Sequence, residues 1–535
     1  MTKKQRIYDA VYGYIELDDA EFALVTLPIF QRLHWIKQLG PLHTVFPSAQ
    51  HSRFSHTIGV FHIVKKMIEH FENRADTHKY VFDKKRKEKD LLKFAALLHD
   101  IGHVPLSHIG EEVLKDTLEE DLAAELLSKA GDRTFDPFAK GKASWWNLFP
   151  EEKYHGGNTK LHERVSAEIV LHSKEIDAAL SKVKGWKTKK RRQEAKEKIA
   201  KIIVGKDCLD VPTLLLHSEL DADRLDYLLR DSFFTGVGYG KIDLDYIILR
   251  LAIFRDEANA NAADLCIEFK GLHTVEHYIL GRFFLQTQVI FNRKVRFMDL
   301  LFRDVMKYMV KHQNEGWSLM GLEEICDCVR GKSVENLHSV YSYTDAQVFS
   351  RMRTLHDELD RKEKENRATK EEAYINDCVK TIMGSKIPEP VFPTCQKLID
   401  LRADEAYKSK VQKEANAIAK KVARELGIYR ERVKANLVEQ EVMKYKKSMA
   451  AKDGTEAGGN REAVRILYRS PEGKEERKHA ARSNASILCD LADKALLILN
   501  VYYVAPKSEA EERVDSNRKA IEAAFNGFVT KKFPS

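Results

Sequence analysis

Histidine and aspartate cluster in one short stretch of this chain. Of 20 histidines in 535 residues, His99, His103 and His108 all fall in the segment AALLHDIGHVPLSH (95–108). His99 and Asp100 are adjacent at the end of an apolar run, and an imidazole and a carboxylate placed together can bind one cation. Both groups bind metal in forms that exist at neutral pH. An ionised Asp100 at the buried end of a helix would be costly without a partner. The pattern therefore predicts a metal site.

One cation needs more ligands than this adjacent pair supplies. The best remote candidates are His56, in HSRFSHTIGV (51–60), and Asp223, in the acidic run DADRLD. Two histidines and two aspartates make a mixed nitrogen and oxygen site that suits Mn, Fe, Mg or Zn, and ligand type alone leaves these four open. We therefore expect distant segments of the chain to meet at one divalent cation.

A turn is expected directly after the adjacent pair. Gly102 and Pro105 favour that turn, so His103 and His108 can approach the same cavity. His162, in the charged segment LHERV, is a further candidate for the same site.

Helices must position these side chains. Apolar residues recur at three- and four-residue spacing in Ile58–Phe71, Asp90–Leu98 and Val275–Val289. The same periodicity dominates from residue 20 to about 445. The sequence therefore predicts a mostly α protein with a helical body over residues 1–449.

The composition changes near residue 450. AAKDGTEAGGN (450–460) is typical of a flexible connection. The runs AVRILYR (463–469) and ALLILNVYYVA (495–505) are rich in Val, Ile, Leu and Tyr and predict strands. We therefore expect a small α+β C-terminal region over residues 461–535.

Composition limits the class of protein. A hydrophobic content of 43% and a charged content of 32% fit a soluble globular protein. No apolar run approaches the roughly 20 residues that cross a bilayer, and the first residues lack the apolar segment of a signal peptide. The seven cysteines are scattered along the chain, which predicts reduced thiols. We therefore expect a cytoplasmic protein with no membrane partner.

The net charge of +8 is modest for this length and suits polyanionic ligands such as nucleotides. Part of the excess lies in KTKKRR (187–192), within a basic insertion at about 174–206. We interpret this insertion mainly as a solvated helix, and a contact with nucleic acid or another partner is the alternative.

Four motifs in order and spacing resemble a known family. They are FQRLHWIKQLG (30–40), HSRFSHTIGV (51–60), AALLHDIGHVPLSH (95–108) and DADRLDYLLRDSFFTGVGYG (221–240). The chain resembles the HD-domain dNTP triphosphohydrolases, in particular the branch that includes the vertebrate SAM-and-HD-domain enzyme and its bacterial relatives, without a SAM domain. The resemblance covers roughly residues 6–310, with a weaker echo at 463–505. It implies an HD-type helical body whose HD core spans about 50–240.

This resemblance implies hydrolysis of a deoxynucleoside triphosphate to a deoxynucleoside and inorganic triphosphate. The residues implied to hold the one divalent cation are His56, His99, Asp100 and Asp223. His108 would be the proton-transfer group near the α-phosphate, helped by His103 and His162. Glu111, one turn after His108, could orient it.

The resemblance also implies a set of substrate contacts. Arg53, Arg224 and Arg282 would neutralise the triphosphate, because guanidinium groups bind phosphate oxygens in pairs. Arg224 replaces the lysine that is common in the family. The other implied contacts are Tyr227 on the sugar–phosphate side, Gln38 and Asp231 at the sugar 3′-hydroxyl, and Leu39 beside the sugar and base.

Three departures from the family pattern concern specificity and activation. Ile290 occupies the position of a tyrosine that closes against the sugar 2′ position, and a bulky apolar side chain could still exclude a 2′-hydroxyl by leaving it unpaired. Thr26 and His34 replace the two residues that read an activating guanine, so activation by GTP is not supported. Tyr12 stands before Gly13 where relatives often have histidine.

Two other classes of function remain open from the sequence. One is another HD phosphohydrolase, such as a nucleotide or cyclic-dinucleotide phosphodiesterase or a guanosine-tetraphosphate hydrolase. The other is a nucleotide-sensing or nucleic-acid-binding protein that uses the KTKKRR segment. The family resemblance also implies a homo-oligomer, dimer or tetramer, and leaves a nucleotide activator open.

Overall fold

Helices make up most of the described residues in the computed structural model, which confirms the predicted mostly α fold with a small β component. The segments outside the described residues are 1–4, 75–81, 83–86, 119–159, 206–210, 257–258, 313–315, 330–336, 385–386, 401–406, 444–463, 470–474 and 535.

The helices of the body are α1 (Asp19–Val25), α2 (Pro28–Gln31), α3 (Arg53–Asn73), α4 (Glu88–Leu98), α5 (108–118), α6 (Leu161–His172), α7 (Lys174–Leu180), α8 (Lys189–Ile203), α9 (Val211–Leu216), α10 (Ala222–Thr235), α11 (Leu244–Arg250), α12 (Leu272–Leu285), α13 (Arg293–Lys311), α14 (Leu322–Val329), α15 (His338–Ser342), α16 (Asp345–Lys364) and α17 (Lys370–Met383). Three more helices follow later in the chain, α18 (Tyr407–Glu425), α19 (Leu488–Leu491) and α20 (Glu511–Lys532).

The strands form three small sheets. They are β1 (Gln5–Asp9), β2 (Gly13–Leu17), β3 (Leu251–Asp256), β4 (Asn259–Glu268), β5 (Cys395–Asp400), β6 (Val433–Glu441), β7 (Arg465–Arg469), β8 (Glu475–His479) and β9 (Lys494–Tyr503). β1 and β2 form an antiparallel hairpin, and the other sheets have the strand orders β3-β4-β7-β8 and β5-β9-β6. All neighbouring strands are antiparallel except β4 and β7, which are parallel.

The centre of the body is built on α4. This helix packs against α3, α8 and α9, and α3 also packs against α10. Because neighbours cover α4 on several sides, its last four residues, Ala95 to Leu98, are completely buried. Burying a leucine side chain stabilises a fold by about 1.5–3 kcal/mol, so Leu97 and Leu98 anchor the end of α4 firmly. The residues that follow this end are thereby held inside the body.

Local signals define the ends of α10. Asp221 is the N-cap, and its side chain accepts a hydrogen bond from the backbone N–H of Arg224. The helix ends at Gly236, whose φ of 77° is a left-handed conformation that glycine adopts at low cost. These caps place Asp223 and Asp226 one turn apart on the same face.

The three-stranded sheet has its own apolar core with α18 and α20. Its fully buried members include Val411, Leu497, Leu499, Val501 and Phe525. The predicted strands at 463–469 and 495–505 are present as β7 and β9. β5 and β6 lie before residue 450 and β9 lies after it, so this sheet joins chain segments from both sides of the predicted connection. The connection itself, 450–460, lies outside the described residues.

The basic insertion forms α7 and most of α8. Arg192 pairs with Asp177 at 2.9 Å between Nη2 and Oδ2, whereas Lys189, Lys190 and Arg191 are exposed. This arrangement fits the interpretation of a solvated helix. The cysteines within the described ranges carry free thiols. No helix within those ranges is long and apolar enough to span a bilayer.

Candidate metal centre

His99 and Asp100 directly follow α4. The Nδ1–H of His99 donates to the carbonyl of Ala96 at 2.8 Å, because a carbonyl oxygen can only accept. This bond leaves Nε2 with its lone pair. Nε2 is buried and has no hydrogen-bond partner among the described residues, although Asp100 Oδ1 lies 3.3 Å away. A buried imidazole nitrogen without a partner is costly unless a cation binds it.

Two side chains from other helices approach this pair. His56, in the first turns of α3, has its Nε2 3.0 Å from Asp223 Oδ1 and 3.9 Å from Asp100 Oδ2. The ligand atoms of His56, His99 and Asp223 all lie within 4.8 Å of one another. The structure therefore brings together the four side chains that the sequence proposed as metal ligands. Two imidazoles and two carboxylates, with one imidazole nitrogen unpartnered, fit a divalent cation.

Asp226 lies behind His56. Its Oδ2 accepts a hydrogen bond from His56 Nδ1 at 2.8 Å, and Arg230 donates to the same oxygen at 2.9 Å through Nε. This bond directs His56 Nε2 toward the centre, in the carboxylate–histidine arrangement typical of metal sites. Asp226 was not predicted from the sequence, although it follows Asp223 by one helical turn and so shares its face.

The carboxylates around His56 make the centre attractive to positive charge. Burial alone would lower the pKa of His56, but hydrogen bonds to Asp223 and Asp226 raise it to about 10. Burial would raise the pKa of Asp100, but His99, His103 and Arg53 hold it well below its ordinary value. The centre therefore keeps ionised carboxylates, as metal binding requires.

A second group of imidazoles adjoins the first. The rings of His103 and His162 stack with centroids 3.7 Å apart, and their Nδ1 atoms lie 2.8 Å and 2.6 Å from Glu111 Oε1. Both histidines hold the pKa of Glu111 well below its ordinary value despite its burial, so Glu111 is a carboxylate acceptor. The side chain of His108 is 75% exposed, with Nδ1 3.5 Å from Glu111 Oε2. The predicted proton-transfer residues thus surround one carboxylate.

The turn before His108 is strained. Leu106 and Ser107 have φ values of 60° and 55°, a left-handed conformation that costs energy for residues with a side chain. Asp345 holds this turn by accepting from the backbone N–H of Leu106 at 2.8 Å and from that of Lys37 at 2.9 Å. Asp345, at the start of α16, therefore ties the turn to the loop that carries Gln38. It was not predicted, because its partners lie far away in the chain.

The three predicted phosphate-binding arginines all have acidic partners. Arg53 Nη1 donates to Asp100 Oδ2 at 2.7 Å and so lies at the metal centre. Arg224 and Arg282 both pair with Glu219, whose side chain is 2% exposed. Burial opposes their charge, but Glu219 raises the pKa of both arginines, so both guanidinium groups stay ionised. Our sequence analysis missed Glu219 because no motif around it identifies a shared partner.

The predicted sugar contacts differ in their surroundings. Gln38 is buried, and its Oε1 accepts no hydrogen bond from the described residues. Asp231 is also buried, with Oδ1 2.8 Å from Nε2 of His51, a residue that was not predicted. Leu39 and Tyr227 are partly buried. Ile290 ends a single π-helical turn, Gln286–Ile290, directly after α12. Among these predicted sugar contacts, Gln38 therefore offers a buried acceptor oxygen that no described residue hydrogen-bonds.

The other positions that depart from the family pattern, besides Ile290, lie toward the N-terminus. Thr26 caps the C-terminal end of α1, and the exposed His34 stacks on Phe54 with ring centroids 3.7 Å apart. Tyr12, in the turn between β1 and β2, stacks on His62. Neither Thr26 nor His34 supplies a charged side chain at neutral pH, since burial lowers the pKa of His34 below its ordinary value.

Comparison with protein families finds a match to one part of the chain. A family described as HD domain matches residues 53–227, a range that contains all four predicted metal ligands, Asp226 and the imidazoles around Glu111. The chain therefore carries an HD domain, as its motifs indicated. Histidines and aspartates that could hold a metal ion group together inside this domain.

Individual proteins also match part of this chain in sequence. The uncharacterized protein YwfO of Bacillus subtilis is 29% identical over 320 residues, which are 59% of this chain and 58% of that protein. The deoxynucleoside triphosphate triphosphohydrolase SAMHD1 homolog of Dictyostelium discoideum is 28% identical over 236 residues, 43% of this chain and 36% of that protein. The chain thus spans roughly a third to three fifths of the length of these relatives. These partial matches confirm that the chain resembles the HD-domain dNTP triphosphohydrolases.

A solved structure shares the fold over nearly the whole chain. The crystal structure of a phosphohydrolase from Bacteroides thetaiotaomicron has a TM-score of 0.58 at 20% identity, and the match covers 94% of this chain and 100% of that one. The fold described above is therefore shared with a known protein, including the segments after the HD domain.

Proposed function

We propose that this chain hydrolyses a deoxynucleoside triphosphate to a deoxynucleoside and inorganic triphosphate with the help of one divalent cation. The observation that carries the proposal is the buried meeting of His56, His99, Asp100 and Asp223, with Arg53 hydrogen-bonded to Asp100 at the same point. The relatives named as dNTP triphosphohydrolases support the choice of substrate.

The cation would supply two kinds of assistance. It would polarise the α-phosphate and lower the pKa of a bound water toward neutrality. His56, His99, Asp100 and Asp223 would hold it, and its identity among Mn, Mg, Fe and Zn stays open because the ligand set suits all four.

The chain's own residues would place the phosphates and move the proton. Arg53 lies beside the centre and would contact the α-phosphate region, while Arg224 and Arg282 would take the outer phosphates in exchange for part of their bonding to Glu219. His108, exposed and adjacent to Glu111, would donate a proton to the departing 5′-oxygen as its bond to phosphorus breaks.

The sugar would be recognised through unsatisfied polar atoms. The buried Oε1 of Gln38 can accept a hydrogen bond from a sugar 3′-hydroxyl, as the family resemblance implies. Ile290 offers no polar group to a 2′-hydroxyl, and a buried hydroxyl without a partner is disfavoured. We therefore propose a preference for deoxyribose through exclusion rather than through a specific bond.

Product identification tests this proposal. The full chain with Mn²⁺ or Mg²⁺ would be incubated with every dNTP and NTP, alone and in pairs, and the products separated chromatographically. We expect a deoxynucleoside and inorganic triphosphate. The double variant His99→Ala/Asp100→Ala should lose roughly 10³-fold in rate, since the cation supplies several kcal/mol. His273→Ala, whose side chain is 84% exposed, is the matched control and should keep full activity.

Other products would identify the competing functions. Nucleoside monophosphate as the only product from dNTPs would refute triphosphate release. Hydrolysis of a cyclic dinucleotide or of guanosine tetraphosphate instead of dNTPs would assign the chain to another HD activity. Nucleotide binding without any turnover would favour a sensor.

We also propose a dimer or tetramer, on the family resemblance alone. Mass photometry with and without nucleotides should show that assembly, with a shift on nucleotide addition if an activator exists. A monomer under every condition would refute it.

A further inference from the structure

His51, which was not predicted as a site residue, is held tightly beside Asp231. Its side chain is completely buried, and its Nε2–H donates to Asp231 Oδ1 at 2.8 Å, because a carboxylate can only accept. The imidazole also stacks on Phe234, with ring centroids 4.7 Å apart and an interplanar angle of 19°. Asp231 and Phe234 are three positions apart on α10 and so share one face of that helix. The helix therefore fixes both the edge and the plane of this ring.

The backbone of His51 adds a third restraint. Its carbonyl accepts a hydrogen bond from the backbone N–H of Gln38 at 3.1 Å, and an isolated β-bridge joins the neighbouring residues Lys37 and Ser52. The loop that carries Gln38 therefore lies directly against His51. Gln38, His51 and Asp231 form one group, which we call the acceptor pocket.

Arg53 connects the acceptor pocket to the metal centre. Its Nη1 donates to Asp100 Oδ2 at 2.7 Å, and its Nη2 donates to the backbone oxygen of Gln38 at 3.5 Å. One guanidinium group thus contacts both a proposed metal ligand and the loop that lines the pocket. A nucleotide with its α-phosphate at the metal centre would therefore place its sugar toward the acceptor pocket.

The buried atoms of the acceptor pocket that lack a partner are acceptors. Within the described residues, Gln38 Oε1 and His51 Nδ1 are buried and have no hydrogen-bond partner. Because Nε2 of the neutral His51 ring carries the proton, Nδ1 holds only a lone pair. Asp231 bonds to His51 through Oδ1, which leaves Oδ2 to accept from another donor. Buried acceptors without a donor are unfavourable, so the pocket suits a ligand that donates hydrogen bonds.

We propose that His51 is a positioning residue that holds Asp231 in place, and that the acceptor pocket thereby selects nucleotides with a free 3′-hydroxyl over those with a 3′-phosphate. A hydroxyl can donate its proton to the Asp231 carboxylate, whereas an ionised phosphate brings a second negative charge against it. This inference rests on the proposed function, from which the sugar contacts of Gln38 and Asp231 come. It adds a residue to that site and a class of nucleotide that the site rejects.

A cycle of variants and substrates tests the role of His51. His51→Phe keeps an aromatic ring on Phe234 but removes the donor to Asp231, whereas His51→Gln keeps an N–H donor. Consumption of a dNTP and of its 2′,3′-dideoxy analogue would be followed with Mn²⁺, whatever the product. For the dNTP, kcat/KM should fall by about 10- to 100-fold in His51→Phe and by less than about 5-fold in His51→Gln. For the dideoxy analogue, which gives Asp231 no proton to accept, both variants should stay within about 3-fold of the wild type.

His273→Phe is the matched control, because it makes the same exchange at a side chain that is 84% exposed. It should match the wild type with both substrates. Circular dichroism would show whether each variant is folded.

Nucleotide binding to the wild type gives a readout that needs no variant. Calorimetric titration would be done with a chelator present to stop metal-dependent turnover. A 3′-amino analogue still donates hydrogen bonds and should bind within about 10-fold of the dNTP. The 3′-fluoro and 3′-phosphate analogues donate none and should bind at least about 30-fold more weakly. This measurement decides the question if the His51 variants fail to fold.

The outcomes separate this inference from the proposed function. Equal losses for the dNTP and the dideoxy analogue in folded His51→Phe would give His51 a merely structural role and overturn the inference. Wild-type binding of the 3′-fluoro or 3′-phosphate analogue as tightly as the dNTP would also overturn it, even if inorganic triphosphate is released. A preference for the 3′-hydroxyl in a protein that releases no inorganic triphosphate would support the acceptor pocket and refute the proposed reaction.

Discussion

The two imidazoles of the candidate metal centre, those of His56 and His99, each have one nitrogen already hydrogen-bonded. Ala96 accepts from His99 Nδ1, and Asp226 accepts from His56 Nδ1, both at 2.8 Å. In each ring the hydrogen bond at Nδ1 therefore directs the remaining Nε2 to the centre. A site whose ligands are held in position before binding loses less entropy when the cation arrives.

Replacement of Asp226 by asparagine tests this orientation. Asp226→Asn keeps the shape of the side chain but weakens the charge-assisted bond to His56, so we expect Mn²⁺ affinity to fall by about 10- to 100-fold. Calorimetric titration of the folded variant would measure it. Asp245→Asn, an exposed aspartate on α11, is the control and should bind Mn²⁺ like the wild type. Equal affinity in Asp226→Asn would show that His56 needs no support.

At the scale of residues, the local pattern of the sequence singles out part of the candidate site. His99 and Asp100 could be identified because metal-binding residue types stand together after a buried apolar run. Glu219 and Asp345 could not, because each acts through partners from distant segments, Arg282 in one case and the backbone of Leu106 in the other. The site roles proposed for individual residues stay predictions until they are measured.

At the scale of elements, α6 crosses the turn after α4 in close contact beside the metal centre. A Cβ at Gly102 would lie 2.4 Å from the backbone N of Ser166 and 2.5 Å from the backbone O of His162. Backbone atoms cannot rotate away as a flexible side chain can. Gly102 therefore allows α6 to approach the metal centre closely, and any side chain there must separate the two elements.

Gly102→Ala should therefore be costly. We expect a loss of about 1–3 kcal/mol in unfolding free energy from overpacking, together with a large loss of hydrolysis because His162 is displaced. Denaturant unfolding and product assays would measure the two effects. Gly238→Ala is the matched control, since a Cβ there meets nothing within 4 Å. An unchanged unfolding midpoint in Gly102→Ala would contradict the close contact.

The end of β8 carries a pH-sensitive group, the imidazole of His479. Burial and the nearby Arg465, Arg482 and Arg477 lower the pKa of His479 to about 4, so the folded protein favours the neutral ring. The stability that this group contributes is complete above its ordinary pKa of about 6.5 and is lost as pH falls toward 4.

Substitution of His479 should make the unfolding free energy less dependent on pH between about pH 7 and about pH 5. Between about pH 7 and about pH 5, His479→Gln should lose less unfolding free energy than the wild type, by about 1 kcal/mol, because partial exposure of the ring weakens the full effect of about 2 kcal/mol. Denaturant unfolding of both proteins at the two pH values would show it. Parallel losses in both would mean that His479 titrates normally when folded.

At the scale of the whole molecule, a buried ion pair joins the helical body to the three-stranded sheet. Arg432, just before β6, donates to Asp377 of α17 at 2.8 Å and to the carbonyl of Val504 at 3.0 Å. Asp377 also accepts from the backbone N–H of Lys507 at 3.1 Å. Both side chains of the pair are less than a tenth exposed. Each buried charge is therefore stabilised by the opposite charge of its partner.

Removing one partner of the Arg432–Asp377 ion pair should strongly destabilise the protein. Asp377→Ala leaves the guanidinium of Arg432 buried and unpaired, and we expect a loss of about 3–5 kcal/mol in unfolding free energy. The double variant Asp377→Leu/Arg432→Met should lose less than the single one, because no charge remains buried. Denaturant unfolding monitored by circular dichroism would compare them. If the double variant lost at least as much unfolding free energy as Asp377→Ala, the two groups would not depend on each other.

The C-terminal organisation was harder to predict than the ligands. β7 and β9 could be predicted from runs of β-branched and aromatic residues, whereas β5 and β6 lie in stretches whose periodicity we assigned to helices. β6 pairs along its length with β9, and this partner lies beyond residue 490. Strand identity here depends on a tertiary partner that local propensity does not reveal.

The parallel pairing of β4 with β7 has a consequence for synthesis of the chain. Glu276 of α12, the helix that carries Arg282, accepts hydrogen bonds from Ser486 and from Ile487, residues 210 and 211 positions later. While the ribosome is still making the last fifth of the polypeptide, the edge of β4 and one end of this helix lack their neighbours. Contacts between such distant positions form slowly and late. The pairing of β4 with β7 and the bonds to Glu276 can therefore form only after nearly the whole chain has been made.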